Sequence, residues 1–213
     1  MKRRIIEKLK QTRPLKLFAI SMMAIAGLCF YYPKTAAQQS SAATTGQSAA
    51  EKYFTDVVLI NQDGEKMRLY SDLLKDKVVI IDFFFATCQG SCLPLNRNLQ
   101  KVQEALGDRV GKDVHLISIS VDPTVDTPAS LKEYAKKLNA KHGWYFLTGD
   151  KENVGFALRK LGGYVEDKQN HTNIFIIGNE RTGLWKKAFG LAQSAELIKV
   201  VESVLNDQPT GDK

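Results

Sequence analysis

Cysteine is scarce in this chain: three in 213 residues, too few for a disulfide scaffold. Six prolines and no collagen-like glycine period exclude fibrous and proline-rich linker proteins. No apolar run reaches the roughly 20 residues that span a bilayer comfortably; the longest is 17–32, apolar apart from Ser21. A basic surface for nucleic acid is also missing. The formal charge is +7, but residues 1–16 hold seven Lys and Arg against Glu7 alone, and Lys34 adds one more. Everything after Lys34 is electrically balanced, which leaves no footprint for a phosphate backbone.

The N-terminus reads as an export signal: a charged start, an apolar stretch, then the small residues Thr35, Ala36 and Ala37. Cleavage after Ala37 is one reading. A retained anchor is the other, although 16 helical residues cover only ~24 Å of a ~30 Å hydrocarbon core. Either way the positive end stays in the cytoplasm and the folded part is exported, to the periplasm or the outer face of the membrane. Cys29 follows Leu28, which is too large for a lipid-attachment site, and reads as apolar filler. Residues 38–52 are mostly small and polar and read as a flexible tether. One domain is expected over 53–207, with a polar tail at 208–213.

The chain is organised around residues 78–94, VVIIDFFFATCQGSCLP. The first half has the composition of a strand buried on both faces. It breaks at two cysteines, Cys88 and Cys92, and Pro94 then sits in the first turn of an amphipathic helix ending at Gly107. Two thiols therefore stand where a buried strand hands over to a helix, the edge at which open α/β sheets bind ligands. The orphan N–H groups and the dipole of that helix are expected to lower a thiol pKa.

Around this stretch the pattern gives a hairpin turned at Asp63-Gly64 (strands 55–60 and 66–70), a second buried strand over 114–121, and a helix capped by Thr127 with Pro128. A short strand at 144–147, a helix at 151–161 capped by Asp150, two strands at 174–177 and 184–189, and a last helix at 194–205 follow. The fold class is α/β, with the order of a thioredoxin-like fold: a central mixed sheet flanked by helices, plus an N-terminal β-hairpin. If the strand at 174–177 runs antiparallel to the Ile80 strand, His171 is carried to Cys88 and Cys92. His115 then lies at the opposite edge, and the direction of the loop bearing His142 is open.

Cysteines four apart on a helix would hold their Cβ atoms ~5–6 Å apart, wider than the ~3.5–4.5 Å of a relaxed disulfide. An ion bridges that gap more easily, though Gly90 can bend the loop and close it. Two thiolates and an imidazole suit Cu(I), whereas zinc would want a fourth ligand. A buried inert pair, a small structural disulfide and a redox-active dithiol remain as alternatives for the cysteines, and a turn histidine for His171. Asp122 and Asp126 are read as turn and cap residues. Phe83, Phe84 and Phe85 are read as core.

Thr87-Cys88-x3-Cys92, residues 120–127 (SVDPTVDT) with the helix behind Leu131, residues 144–149 (WYFLTG) and His171-Thr172, taken together in this order, resemble the Sco/SenC copper chaperones. The resemblance runs from about residue 54 to 205. Gln89 and Leu93 stand where such proteins usually carry proline, and Asn170 where an Asp often precedes the histidine. The resemblance implies a membrane-tethered thioredoxin fold with Cys88, Cys92 and His171 as copper ligands; Cu(I) is the expected ion, and whether Cu(II) also binds is open. It implies delivery to the binuclear copper site of a cytochrome c oxidase subunit, or to another copper apoprotein; separately, a monomer is expected. The rival activity is a thiol–disulfide oxidoreductase that reduces the cysteines of such an apoprotein through Cys88 and Cys92. A thiol peroxidase is disfavoured, because no Pro-x3-Thr-x2-Cys arrangement surrounds Cys88.

Overall fold

The computed structural model describes residues 47–208. The export signal or anchor (1–37) with Cys29, the tether up to residue 46 and the tail beyond 208 lie outside the described residues. The last part of the expected tether is ordered. Ser48 accepts the Glu51 N–H at 3.0 Å and starts helix α1 (Ala49–Phe54). The Ser48 hydroxyl also lies 3.1 Å from that of Tyr70, which donates to Glu180 at 2.9 Å, while the Phe54 ring packs on Trp185. A cap and two anchors outweigh the small, polar composition.

Strands β1 (Val58–Ile60) and β2 (Lys66–Arg68) pair antiparallel around Gly64, whose positive φ of 84° suits the turn. Both strands are shorter than the expected 55–60 and 66–70. At Leu69 the chain enters a π-helical segment, Leu69–Leu74, because Leu69, Tyr70, Leu73 and Leu74 must all be buried. That spacing puts them on one helical face, whereas a strand would expose half of them.

The central sheet has the order β5-β4-β3-β6-β7. Strands β3 (Val78–Phe84) and β4 (Val114–Ser120) are buried at every position, as their mostly apolar and small residues favour, with Asp82 and His115 as the buried ionisable exceptions. They run parallel to each other and to β5 (Trp144–Leu147). β6 (Ile174–Asn179) is antiparallel to β3, and β7 (Leu184–Phe189) turns back on β6. On one face, Val78, Ile80 and Phe84 pack with α2 (Cys92–Leu106), α3 (Pro128–Lys137) and α5 (Ser194–Leu205). On the other, Val79, Ile81 and Phe83 pack with α4 (Lys151–Leu161) and the π-helical segment. Burying each such Val, Ile or Phe stabilises the fold by ~1.5–3 kcal/mol. Thr127 caps α3 with Pro128 in its first turn, Asp150 caps α4, and Gly107 ends α2, as the sequence predicts.

Register decides which residues meet. Val78 pairs with Asn179 and Ile81 with Ile176, so β6 starts beside the end of β3. His171, three residues ahead of β6, therefore comes to the edge where β3 and β4 finish. His115 pairs with Val79 at the opposite edge. The His142 loop lies there too, since Trp144 pairs with Leu116 and a Cβ on Gly111 would stand 3.0 Å from the His142 ring.

Candidate metal centre

The cysteine loop is built by a sharp stop. β3 ends at Phe84, Phe85 is still buried, and the Cys88 N–H turns back to the Phe85 carbonyl at 3.1 Å. Gln89 and Gly90 are exposed, and α2 begins at Cys92. The four-residue separation is thus not helical throughout: Cys88 lies in the loop and Cys92 in the first helical turn. Both are free thiols, Cys88 half-buried and Cys92 fully buried.

His171 arrives from the 162–173 connection, whose one regular piece is a 3-10 turn, Lys168–Asn170. The His171 N–H donates to the Lys168 carbonyl at 3.3 Å. Its Nε2 lies 3.2 Å from Cys92 Sγ, and its Nδ1 lies 3.4 Å from the Thr172 carbonyl. With the Nδ1 proton on that carbonyl, Nε2 is left with its lone pair toward the sulfurs. The donor atoms of Cys88, Cys92 and His171 all lie within 4.8 Å of one another, and among the described residues they are the one cluster of this kind. An ion ~2.3 Å from sulfur and ~2.0 Å from nitrogen needs donors less than about 4.6 Å apart, so the three stand almost in place. In trigonal geometry the Cys92–His171 separation would open to ~3.7 Å, about half an ångström wider than it is.

Burial sets the proton affinities. Burial first, then the hydrogen bond to Cys88, pushes the Cys92 thiol far above its ordinary range. This corrects the expectation that the helix N-terminus makes its thiolate easy to form. Desolvation of a fully buried sulfur outweighs a partial charge of about half a proton. Burial also holds His171 below its usual value, against the pull of the Thr172 carbonyl, so the imidazole is neutral near pH 7.

One loop braces both sides of the cluster, which sequence reasoning missed. Asp126, 2% exposed, accepts the Ala86 N–H at 3.1 Å and the Ser120 hydroxyl at 2.6 Å, which fixes the start of the cysteine loop. Asp122 pairs with Lys168 at 2.6 Å, beside the histidine. The Phe85 ring meets His171 edge-on at 5.7 Å, so of the three phenylalanines this one faces the site. The SVDPTVD segment signals a turn; nothing in its spacing shows that its carboxylates reach back 40 residues and forward 46.

Parallel β3, β4 and β5 with antiparallel β6 and β7, covered by helices on both faces and carrying a dithiol after the first long strand, define a thioredoxin-like protein. More narrowly, the SCO1/SenC family signature matches residues 43–206, and the chain belongs to that family. It is 35% identical over 125 residues to the SCO1 protein homolog of Bacillus subtilis, which covers 55% of this chain and 63% of that one. The chain thus matches less than two thirds of that relative's length. The solved structure of BsSco, described as having a disulfide switch and as a member of the Sco family of cytochrome c oxidase assembly proteins, is 29% identical. Its TM-score is 0.58, over 71% of this chain and 92% of BsSco. Yeast Sco1 with copper bound shares the fold at 23% identity, with a TM-score of 0.60 over 74% of this chain and 95% of that one.

Proposed function

We propose that the protein is an exported metallochaperone that holds one copper ion between Cys88, Cys92 and His171. It would hand the ion to a copper apoprotein, the copper-bearing subunit of a respiratory cytochrome c oxidase. The observation that carries this reading is the convergence of three soft donors, from two distant segments of the chain, within 4.8 Å. Two sulfurs and one neutral imidazole match Cu(I) in softness and number. Membership of the SCO1/SenC family, and the description of the BsSco family as cytochrome c oxidase assembly proteins, support the recipient. The basic and apolar N-terminus supports export to the outer face of the membrane.

Each residue has a distinct part. His171 is neutral and needs no proton removed, while the Cys92 thiol must give up its proton as the ion arrives, so loading is coupled to proton release. Cys92 and His171 are walled in, and Cys88 is half-buried. An incoming ligand from the apoprotein therefore approaches on the Cys88 side, and transfer proceeds by exchange of that sulfur first.

The same exposure difference favours a second reading, a thiol–disulfide oxidoreductase. Cys88 would attack a substrate disulfide, releasing one substrate thiolate. Cys92 would then attack the mixed disulfide at Cys88, freeing the second substrate thiol and leaving Cys88–Cys92 oxidised. Titration of reduced protein with Cu(I) against a competing chelator separates the two. One equivalent bound, with affinity falling by orders of magnitude in His171→Ala, supports the chaperone. Unchanged affinity in His171→Ala together with turnover of disulfide substrates supports the oxidoreductase.

A further inference from the structure

His171 sits in a connection with almost no regular structure, yet the residue is only 8% exposed and its ring is aimed at a sulfur. Something must hold it there. The residues beside it, Gln169 and Asn170, are exposed and point away from the core. Lys168 is different: it touches the cluster's surroundings three ways. Its ammonium donates to Asp122 Oδ2 at 2.6 Å, it lies 5.1 Å from the centre of the Phe85 ring, and its carbonyl accepts the His171 N–H.

Each of these contacts leads somewhere fixed. Asp122 is not a free surface carboxylate. Its Oδ1 takes the Thr124 hydroxyl at 3.0 Å, its N–H is held by Ser120 Oγ at 3.0 Å, and its carbonyl takes the N–H groups of Val125 and Asp126. Its side chain is 11% exposed, against 36% for Lys168. Phe85 continues a fully buried strand and itself meets the His171 ring edge-on. Lys168 therefore ties the histidine segment to the end of β3 and to the loop after β4, the loop whose Asp126 already fixes the start of the cysteine segment.

We propose that Lys168 is a positioning residue for the metal centre, clasped between Asp122 and Phe85 so that His171 stays within reach of the sulfurs. It touches no metal; it acts through His171. The proposal rests on the copper-binding reading for its functional consequence, but not for its structural one. Charge is required: a neutral side chain loses the ion pair, while Arg keeps both the charge and the stacking on an aromatic ring.

The test uses the full chain, reduced and metal-free, as wild type, Lys168→Gln, Lys168→Arg and Asp122→Asn. Hydrogen exchange of the His171 amide is read first, then Cu(I) affinity by chelator competition. Loss of a partner that orients a metal ligand costs about 10–100-fold in affinity, so Lys168→Gln and Asp122→Asn are each expected to bind Cu(I) at least tenfold more weakly. Both are expected to exchange the His171 amide faster, with the thermal midpoint little changed and Lys168→Arg close to wild type. High salt should weaken wild-type binding toward the Lys168→Gln value, because the clasp is partly solvated. Unchanged amide exchange and unchanged Cu(I) affinity in Lys168→Gln would overturn the clasp. So would failure of Lys168→Arg to rescue. A wild type that takes up no Cu(I) would sink the copper reading instead, and the exchange measurement would still decide the clasp.

Discussion

Replacing Asp82 with Asn should change how stability depends on pH, by an amount the structure fixes. Asp82 is fully buried in the middle of β3, on the face that packs with α2 and α3. One carboxyl oxygen accepts the Ser118 hydroxyl, which itself accepts the Trp144 indole N–H at 3.0 Å, and the other oxygen has no partner. Burial therefore raises its pKa from 3.8 to about 7. Below pH 4 both folded and unfolded chains carry the proton. Between pH 4 and 7 the unfolded chain releases it while the folded chain keeps it, so stability from this group drains away as pH rises. The full change converts to ~4 kcal/mol, a large part of the 5–15 kcal/mol that holds a typical domain together.

His115 acts in the opposite sense: burial lowers it from 6.5 to about 4, with Lys77 and His142 adding to the effect. Its stabilisation is complete above pH 6.5 and is lost as pH falls toward 4. The two slopes oppose each other in the wild type, so only the difference curve isolates Asp82. Asn mimics the protonated carboxyl and keeps the Ser118 bond. In urea unfolding of reduced, metal-free protein from pH 4 to 8, Asp82→Asn should gain on wild type as pH rises, by ~4 kcal/mol across the interval. A difference that shifts by less than ~1 kcal/mol over that range refutes the reasoning.

Two further outcomes follow from the bracing of the site. Asp126→Ala strips the acceptor from the Ala86 N–H and the Ser120 hydroxyl; with ~1–3 kcal/mol for each donor left unpaired, stability should fall by about 3 kcal/mol. Urea unfolding at fixed pH measures it, and a loss under ~1 kcal/mol would show that water or another group replaces the carboxylate. In reduced, metal-free protein, iodoacetamide should modify Cys88 at least tenfold faster than Cys92, because Cys92 is fully buried and its thiolate is suppressed. Peptide mass spectrometry reads both positions separately, and equal rates would contradict the burial described for Cys92.

Local signals were legible wherever a short stretch determines its own conformation. Asp63-Gly64 marks a hairpin turn, Thr127-Pro128 and Asp150 mark helix starts, and residues 194–205 show a helix to the residue. The turn between the last two strands required that one of them run antiparallel to β3; the structure shows that it is β6, which carries His171 to the thiols. What escaped depends on contacts between distant segments. The helix at Ala49–Phe54 is anchored through Tyr70 and Trp185, and the Leu69–Leu74 segment is shaped by which residues must be covered. The Cys92 thiol is governed by burial that no local pattern reports. Asp126 looked like an ordinary turn residue, and no local pattern singles out Lys168. Their partners are 40 residues back, at Ala86, and 46 residues back, at Asp122.

The Ser48–Tyr70–Glu180 contact has a practical meaning. Glu180 follows the last residue of β6, at the end of the sheet remote from His171 and the sulfurs. A bead, fluorophore or solid support joined at residue 47 would thus grip the domain by its heel, leaving the sulfur-bearing end unobstructed.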